Sequence, residues 1–138
     1  MTDGIKLCAC ASGLAYADCC RSYHLGVSKA PTALALMRSR YCAYVIGEID
    51  YLVQTTLPAA RKADLRDSYK STYDSINWIG LEVVTTWLGG ENDKIGKVEF
   101  RAFYIQDGQR STHHEVSRFR RSKGLWFYVD GQVEDSRQ

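Results

Sequence analysis

The stretch from Val98 to Arg120 reads VEFRAFYIQDGQRSTHHEVSRFR, two strand-like runs separated by Asp107-Gly108. An Asp-Gly pair between such runs predicts a two-residue β-hairpin, because glycine readily adopts the positive φ that this turn requires. A turn of this length also sets the pairing of the strands, with Gln106 opposite Gln109.

This register assigns the polar residues of the hairpin to faces of the sheet. It places Arg101 opposite His114 and Phe100 opposite Glu115, and adjacent residues of a strand point to opposite faces. One of His114 and Glu115 must therefore face the helices that cover the sheet. A polar group in that position is costly unless it is hydrogen-bonded or wet, so we expect a cavity with His114 or Glu115 at its wall.

Two further strands flank the hairpin. Residues Trp78–Leu88 are rich in β-branched and aromatic side chains and are followed by Gly89-Gly90, a chain-breaking pair. Residues Leu125–Asp130 follow a turn at Ser122-Lys123-Gly124. Together the four segments predict an antiparallel meander, and we expect residues 133–138 to form a frayed tail.

The chain before the sheet carries helical patterns. Thr32 is a suitable N-cap, apolar residues at helical spacing follow it, and Gly47 predicts the end of the helix. A short second helix is expected over Ile49–Val53, and a third beginning near Ala59. About three helices followed by four strands predict an α+β fold, with the helices packed on one face of a curved sheet.

Four cysteines precede the helices, at Cys8, Cys10, Cys19 and Cys20. A disulfide within either close pair would form a strained ring, whereas Zn²⁺ accepts four thiolates tetrahedrally. A cross-pair disulfide, such as Cys8 to Cys19, is the alternative, and it is disfavoured in the reducing cytosol expected for a chain without a secretory signal. His24 is either an alternative fourth ligand in place of Cys20 or a neighbour that packs beside the site or orients a thiolate, and we favour Cys20 as the ligand. We expect one structural zinc ion.

The spacing Cys8-Ala9-Cys10, eight residues, Cys19-Cys20 resembles the SEC-C zinc motif of the preprotein translocase ATPase. There the knuckle contacts an export chaperone, so the resemblance implies docking of another protein. Further segments resemble the bacterial YchJ family, which has no established activity to carry over. These segments are 12–20, 23–24, 30–32, 36–41, 78–81, 96–100, His114-Glu115 with Ser117 and Phe119, and 126–131.

The predicted layout is similar to the cystatin-like cone of nuclear transport factor two, whose relatives enclose a pocket between helices and sheet. We divide the chain into a zinc knuckle over residues 1–29, a cone domain over 30–132 and a tail over 133–138. A pocket carboxylate that loses water becomes a better general base, which makes Glu115, or its neighbour His114, a catalytic candidate. A buried hydrogen-bond network is the simpler alternative. The candidate pocket residues are Arg101, Tyr104, His113, His114, Glu115, Tyr128 and Asp130.

Composition excludes several classes of protein. The 138 residues are 45% hydrophobic and 25% charged, a globular balance that excludes disorder and coiled coil. The net charge of +2 gives no argument for a nucleic-acid partner. No apolar run approaches the roughly 18 residues that cross a bilayer. We expect a cytoplasmic protein that binds neither membrane nor nucleic acid.

Two functions remain from the sequence. The first is a protein-interaction module that docks through its zinc knuckle, which an exposed apolar patch around Leu14, Tyr16 and Tyr23 would favour. The alternative is a small-molecule binder, or an enzyme of the hydrolase, dehydratase or isomerase type, that uses the cone pocket. An enclosed cavity lined by His114 or Glu115 would favour this second function.

Overall fold

Four helices precede four strands in the computed structural model, which describes residues 6–137. Single 3₁₀ turns lie at Tyr16–Asp18 and Pro58–Ala60. The helices are α1 (Cys20–His24), α2 (Ala33–Ile46), α3 (Ile49–Gln54) and α4 (Leu65–Ser75). The strands are β1 (Asn77–Leu88), β2 (Ile95–Gln106), β3 (Gln109–Ser122) and β4 (Leu125–Arg137).

Local signals define the two ends of α2. The hydroxyl of Thr32 accepts a hydrogen bond from the Ala35 amide at 3.1 Å, as an N-cap does. Gly47 ends the helix at φ 86°, where a side chain would be strained and would also meet the ring of Tyr73. Both predicted boundaries of this helix are confirmed.

Helix α4 begins later than the sequence predicted. The expected start near Ala59 is wrong, because Pro58–Ala60 forms a 3₁₀ turn and Arg61 is extended. Proline suits the first position of such a turn, since its missing amide is not needed there. Regular α-helix begins only at Leu65.

The sheet is the predicted antiparallel meander, in the order β1-β2-β3-β4. Asp107 and Gly108 form a two-residue turn with φ of 53° and 76°, and Gln106 pairs with Gln109. The predicted pairs of the first hairpin, Arg101 with His114 and Phe100 with Glu115, are found in the ladder.

The chain end is a strand rather than a frayed tail. Strand β4 continues to Arg137, and its Val133 and Asp135 pair with Glu115 and His113 of β3. The tail expected over residues 133–138 is therefore wrong as far as Arg137; Gln138 lies outside the described residues. Strand β3 offers backbone donors and acceptors along its whole length, and pairing with them needs no apolar pattern in the partner.

Helix α2 lies across the sheet and forms the main core with it. Apolar side chains of α2, β2, β3 and β4 are buried together, including Leu36, Met37, Val98, Phe119 and Trp126. A second apolar cluster joins α2, α3 and α4. Among the described residues, no helix has both the length and the apolar character needed to cross a membrane.

Candidate functional site

The four N-terminal cysteines converge into one cluster. Their Sγ atoms all lie within 4.8 Å of one another. The separations of 3.5 Å from Cys10 to Cys19 and 3.9 Å from Cys19 to Cys20 are far from a bonded disulfide. A tetrahedral ion about 2.3 Å from each sulfur needs sulfurs about 3.8 Å apart. The cluster therefore has the donor type and spacing that a four-thiolate metal site needs.

Local backbone structure brings the two cysteine pairs together. The Cys8 amide donates to the Leu14 carbonyl at 2.8 Å, and Leu7 bridges to Ala15, so the chain folds back after the first pair. Cys20 is the first residue of α1 and is 1% exposed. The tight turn after the first cysteine pair and the helix that starts at the second pair thus bring the four thiols together.

The thiols of the cluster differ in their pKa values. Contact with the Cys20 thiol, together with Ser12 and the other cysteines, lowers the pKa of Cys10 to about 4 despite its burial. Burial raises the pKa of Cys8 to about 12. A cluster that already favours one thiolate is suited to a cation, and binding the cation deprotonates the remaining thiols.

Helix α2 closes the inner side of the cluster. The Cys42 Sγ lies 3.7 Å from the Cys8 Sγ, and Cys42 is 1% exposed. Cys42 is thus a buried thiol whose neighbours include other thiols. The guanidinium of Arg38 donates to the Cys10 carbonyl at 2.5 Å, which brings a positive charge beside a site that would carry net negative charge as a zinc tetrathiolate. These two contacts join residues about 30 positions apart, so no local sequence pattern predicts them.

His24 packs beside the cluster as a neighbour and contacts protein groups through both ring nitrogens. Its Nε2 lies 2.8 Å from the Ser39 carbonyl, which can only accept, so Nε2–H donates there. Its Nδ1 is then the acceptor for the Tyr16 hydroxyl, also at 2.8 Å. With both ring nitrogens engaged, His24 is not available as a ligand and orients no thiolate; instead it ties α1 to α2.

A cavity of about 270 Å³ lies between the helices and the concave face of the sheet. Side chains from α2, α4 and all four strands form its wall. Seven of its sixteen lining residues are Phe, Tyr or Trp, namely Tyr41, Tyr44, Trp78, Phe100, Tyr104, Phe119 and Tyr128.

Of the predicted pocket residues Arg101, Tyr104, His114 and Glu115, two line this cavity. They are Tyr104 and Glu115, both from the inward face of the hairpin. The other two, Arg101 and His114, lie on the outer face, where Arg101 contacts Glu82 at 2.9 Å and His114 contacts Glu99 at 2.6 Å. Their assignment to the pocket is wrong. Adjacent residues of a strand point to opposite faces, so an inward Glu115 leaves His114 facing outward, and Arg101 is paired with His114 on the same outer face.

The remaining candidates divide in the same way. His113 and Tyr128 line the cavity. Asp130 instead pairs with Arg118 and lies on the solvent side, so it is not a pocket residue. The pairing with Arg118 lowers the pKa of Asp130.

A row of polar groups forms one side of the cavity. Glu115 is 8% exposed, and its carboxylate accepts hydrogen bonds from His113 at 2.8 Å, Ser117 at 2.5 Å and Tyr128 at 3.1 Å. The other ring nitrogen of His113 lies 2.9 Å from Asp135. Asp135 was missed because it falls in the segment expected to be a tail.

These contacts favour the charged forms of Glu115 and His113. Burial is the largest single influence on Glu115 and acts to raise its pKa, but hydrogen bonds and the charge of His113 outweigh it, and the pKa is lowered. Burial likewise acts to lower the pKa of His113, whereas Glu115 and Asp135 together raise it. Glu115 is consequently a stabilised anion, and the enhanced basicity expected from burial alone is absent.

Space for the Glu115 carboxylate comes from β4. Gly131 lies beside it, and a Cβ at this position would overlap the carboxylate. A second buried charge, Arg40 of α2, stacks 4.6 Å from the ring centroid of Tyr128 and donates to the Leu52 carbonyl and the Tyr69 hydroxyl, both at 2.9 Å. The sequence gives no indication of Arg40 beyond its place in a helix.

Comparison with known proteins agrees with this geometry. The model of the YchJ middle NTF2-like domain matches residues 32–131. The chain belongs to the YchJ family. A UPF0225 protein of Actinobacillus succinogenes is 41% identical over 128 residues, covering 93% of this chain and 82% of the relative.

Two solved structures are similar over most of the chain. The solution structure of a SEC-C motif containing protein from Rhodopseudomonas palustris has a TM-score of 0.82 at 36% identity, covering 91% of this chain and 96% of that one. The crystal structure of a SEC-C motif containing protein from Psychrobacter arcticus has a TM-score of 0.77 at 30% identity, covering 97% and 86%.

Proposed function

We propose that this protein binds a small organic molecule in the cavity between helices and sheet, and that a zinc ion in the knuckle braces the helical wall. The observation that carries the proposal is a preformed cavity of about 270 Å³, with seven Phe, Tyr or Trp residues in its wall and an ordered polar row along one side. Apolar pockets with a few placed polar groups are the usual form of small-molecule sites.

The state of the polar row favours binding over proton abstraction. Glu115 already accepts three hydrogen bonds, and its pKa is lowered. Both nitrogens of His113 face carboxylates. Groups in this condition position one another and fix the electrostatic surroundings of a ligand, and the lowered pKa of Glu115 makes it a weak general base near neutral pH.

Occupation of the cavity can be blocked from α4. Thr72 lines the cavity, whereas the adjacent Ser71 is exposed. Thr72→Trp should fill part of the cavity and abolish binding of a small apolar probe such as α-methylstyrene, which is followed by NMR shifts of cavity residues. Ser71→Trp adds the same bulk outside and should leave binding intact. Equal binding by both variants, or none by the wild type, would contradict the proposal.

The ion that suits the knuckle is zinc. Four cysteine thiolates around one point, three of them buried, match the closed structural site that zinc prefers. A closed site has no open position for substrate, so zinc here would supply folding energy rather than catalysis. Metal analysis of protein purified without added zinc should find about one equivalent per chain. A metal-free folded chain, or one that loads iron under the same conditions, would refute the assignment.

A second candidate function, docking of another protein on the knuckle, has its own support. Leu7 and Leu14 are 68% and 52% exposed and lie close together, because the bridge from Leu7 to Ala15 joins their segments. Tyr16 and Tyr23, also expected in such a patch, are only half-exposed. A Leu7→Gln, Leu14→Gln double variant should lose a partner that the wild type retains, with the metal content unchanged. Retention of that partner by the variant would exclude this surface.

A further inference from the structure

A fifth thiol adjoins the four candidate metal ligands without being one of them. Cys42 of α2 is 1% exposed, and its Sγ lies 3.7 Å from the Sγ of Cys8. The four Sγ atoms that all lie within 4.8 Å of one another belong to Cys8, Cys10, Cys19 and Cys20. A tetrahedral ion takes four thiolates. Cys42 is therefore left over, and it contacts the site from the inner side.

Metal binding fixes the direction of the contact between Cys42 and Cys8. A metal-bound cysteine is a thiolate and has no proton to donate. Cys8 can then only accept, so a hydrogen bond across the 3.7 Å between the two sulfurs must use the S–H of Cys42. Hydrogen bonds to a charged acceptor are stronger than those between neutral groups. The contact therefore stabilises the metal-bound form more than the metal-free form.

Cys42 keeps its proton beside a metal-bound cluster. In the metal-free chain, contact with the Cys20 thiol lowers the pKa of Cys42, although burial acts to raise it. Metal binding removes the proton of Cys20, so the first influence disappears and the second remains. Four thiolates around Zn²⁺ also leave a net charge of about −2, which opposes a fifth thiolate next to them.

The packing of α2 against the knuckle holds this donor in place. His24 donates through Nε2–H to a backbone carbonyl of α2, and the guanidinium of Arg38 donates to the Cys10 carbonyl. The backbone of Ala9 also contacts the Cys42 thiol. A donor that is already fixed in position loses little conformational entropy when the metal binds.

An exposed donor on another sulfur offers a comparison. The hydroxyl of Ser12 lies 3.2 Å from the Sγ of Cys19. Ser12 is exposed and Cys19 is only partly buried, so water competes for this contact. A hydrogen bond is stronger where the local dielectric constant is low, as it is around Cys42. The buried thiol should therefore contribute more to metal affinity than the exposed hydroxyl.

We propose that Cys42 is a positioning residue of the metal site, whose S–H donates to the metal-bound sulfur of Cys8 and raises the affinity of the knuckle for zinc. This inference rests on the zinc assignment proposed above. It extends the site from four ligands on the knuckle to a buried thiol on α2. Residues that hydrogen-bond to metal ligands typically change metal affinity about ten- to hundredfold.

Competition with a chromophoric zinc chelator measures this contribution. Cys42→Ala removes the S–H and should weaken zinc binding about ten- to hundredfold, with about one ion still bound per chain. Cys42→Ser keeps a hydroxyl donor and should recover part of the loss, which a role in apolar packing alone would not allow. Ser12→Ala removes the exposed donor and should change the affinity less than about threefold.

Infrared spectra of the wild-type protein test the donor without any variant. The S–H stretch absorbs where other protein groups do not, and the chain has five cysteines. With four of them bound to zinc as thiolates, one S–H band should remain. It should lie at a lower wavenumber than the band of a free thiol, because the S–H is hydrogen-bonded, and it should be absent from Cys42→Ala.

The outcomes separate this inference from the zinc assignment. Zinc binding by the wild type with no S–H band, or with a band at the position of a free thiol, overturns the role of Cys42 and leaves the zinc assignment standing. Unchanged zinc affinity in Cys42→Ala does the same. Complete loss of zinc from both Cys42 variants also overturns it, because Cys42 would then be a ligand. A wild-type chain that binds no zinc overturns both proposals.

Discussion

Replacing Glu115 by glutamine measures what the buried carboxylate contributes to stability. The substitution keeps the shape of the side chain but removes the charge facing His113 at 2.8 Å and the hydroxyls of Ser117 and Tyr128. The hydroxyls can turn their protons to suit an amide, whereas a protonated His113 cannot. The expected loss is therefore that of one hydrogen bond to a charged group, about 1.5–3 kcal/mol of unfolding free energy.

The pH dependence of this loss has a definite sign. The pKa of Glu115 is lowered from 4.5, so its contribution is full above pH 4.5 and is lost as pH falls through the folded-state pKa. The pKa of His113 is raised from 6.5, so its contribution is full below pH 6.5 and is lost as pH rises through the folded-state value. The difference between wild type and E115Q should be largest between these two pH values.

Urea unfolding inside, above and below this window is the assay. The matched control is Glu99→Gln, which removes the partner of His114 at 2.6 Å on the outer face, where both side chains are more exposed. That loss should stay below about 1 kcal/mol, as for most solvent-exposed pairs. Equal losses in the two variants, or a loss in E115Q that does not vary with pH, would refute the reasoning.

Three further predictions concern stability. Gly131→Ala adds a Cβ that pushes the Glu115 carboxylate from its partners, so urea unfolding should show a loss of about 1–3 kcal/mol; an unchanged value would mean that the carboxylate relocates without cost. Cys19→Ser, or removal of the metal by a chelator, should unfold residues 6–23 because ligation supplies the folding energy of such modules. Hydrogen exchange should still find β2 protected, and uniform loss of protection would show that both parts share one core. Thr32→Ala should lower stability by about 1 kcal/mol in thermal unfolding, whereas Thr32→Ser should restore most of it.

Features with a local cause were predictable from the sequence. The two-residue turn at Asp107-Gly108 sets the strand register through backbone geometry, and it is found as predicted. The caps at Thr32 and Gly47 depend on one side chain and one φ angle. The spacing of the cysteines brings four thiols together within a short segment. Each of these needs only neighbours within a few residues, or within one hairpin.

The composition of the cavity wall needed the tertiary structure. Alternation requires one of His114 and Glu115 to face inward, but only the side on which the helices pack decides that it is Glu115. Asp135 reaches His113 because β4 continues along β3, where backbone pairing replaces any apolar pattern. Neither the inward position of Glu115 nor the contact of Asp135 with His113 could be predicted from the sequence.

Long-range packing also decided the surroundings of the metal cluster. Arg38 and Cys42 lie on α2, far along the chain from the first cysteine pair, and reach it because the knuckle packs on that helix. The sequence alone determined that four thiols meet, since their spacing is local. Tertiary structure alone decided that the same helix borders both the thiols and the cavity, because different faces of this helix are buried against partners distant in sequence.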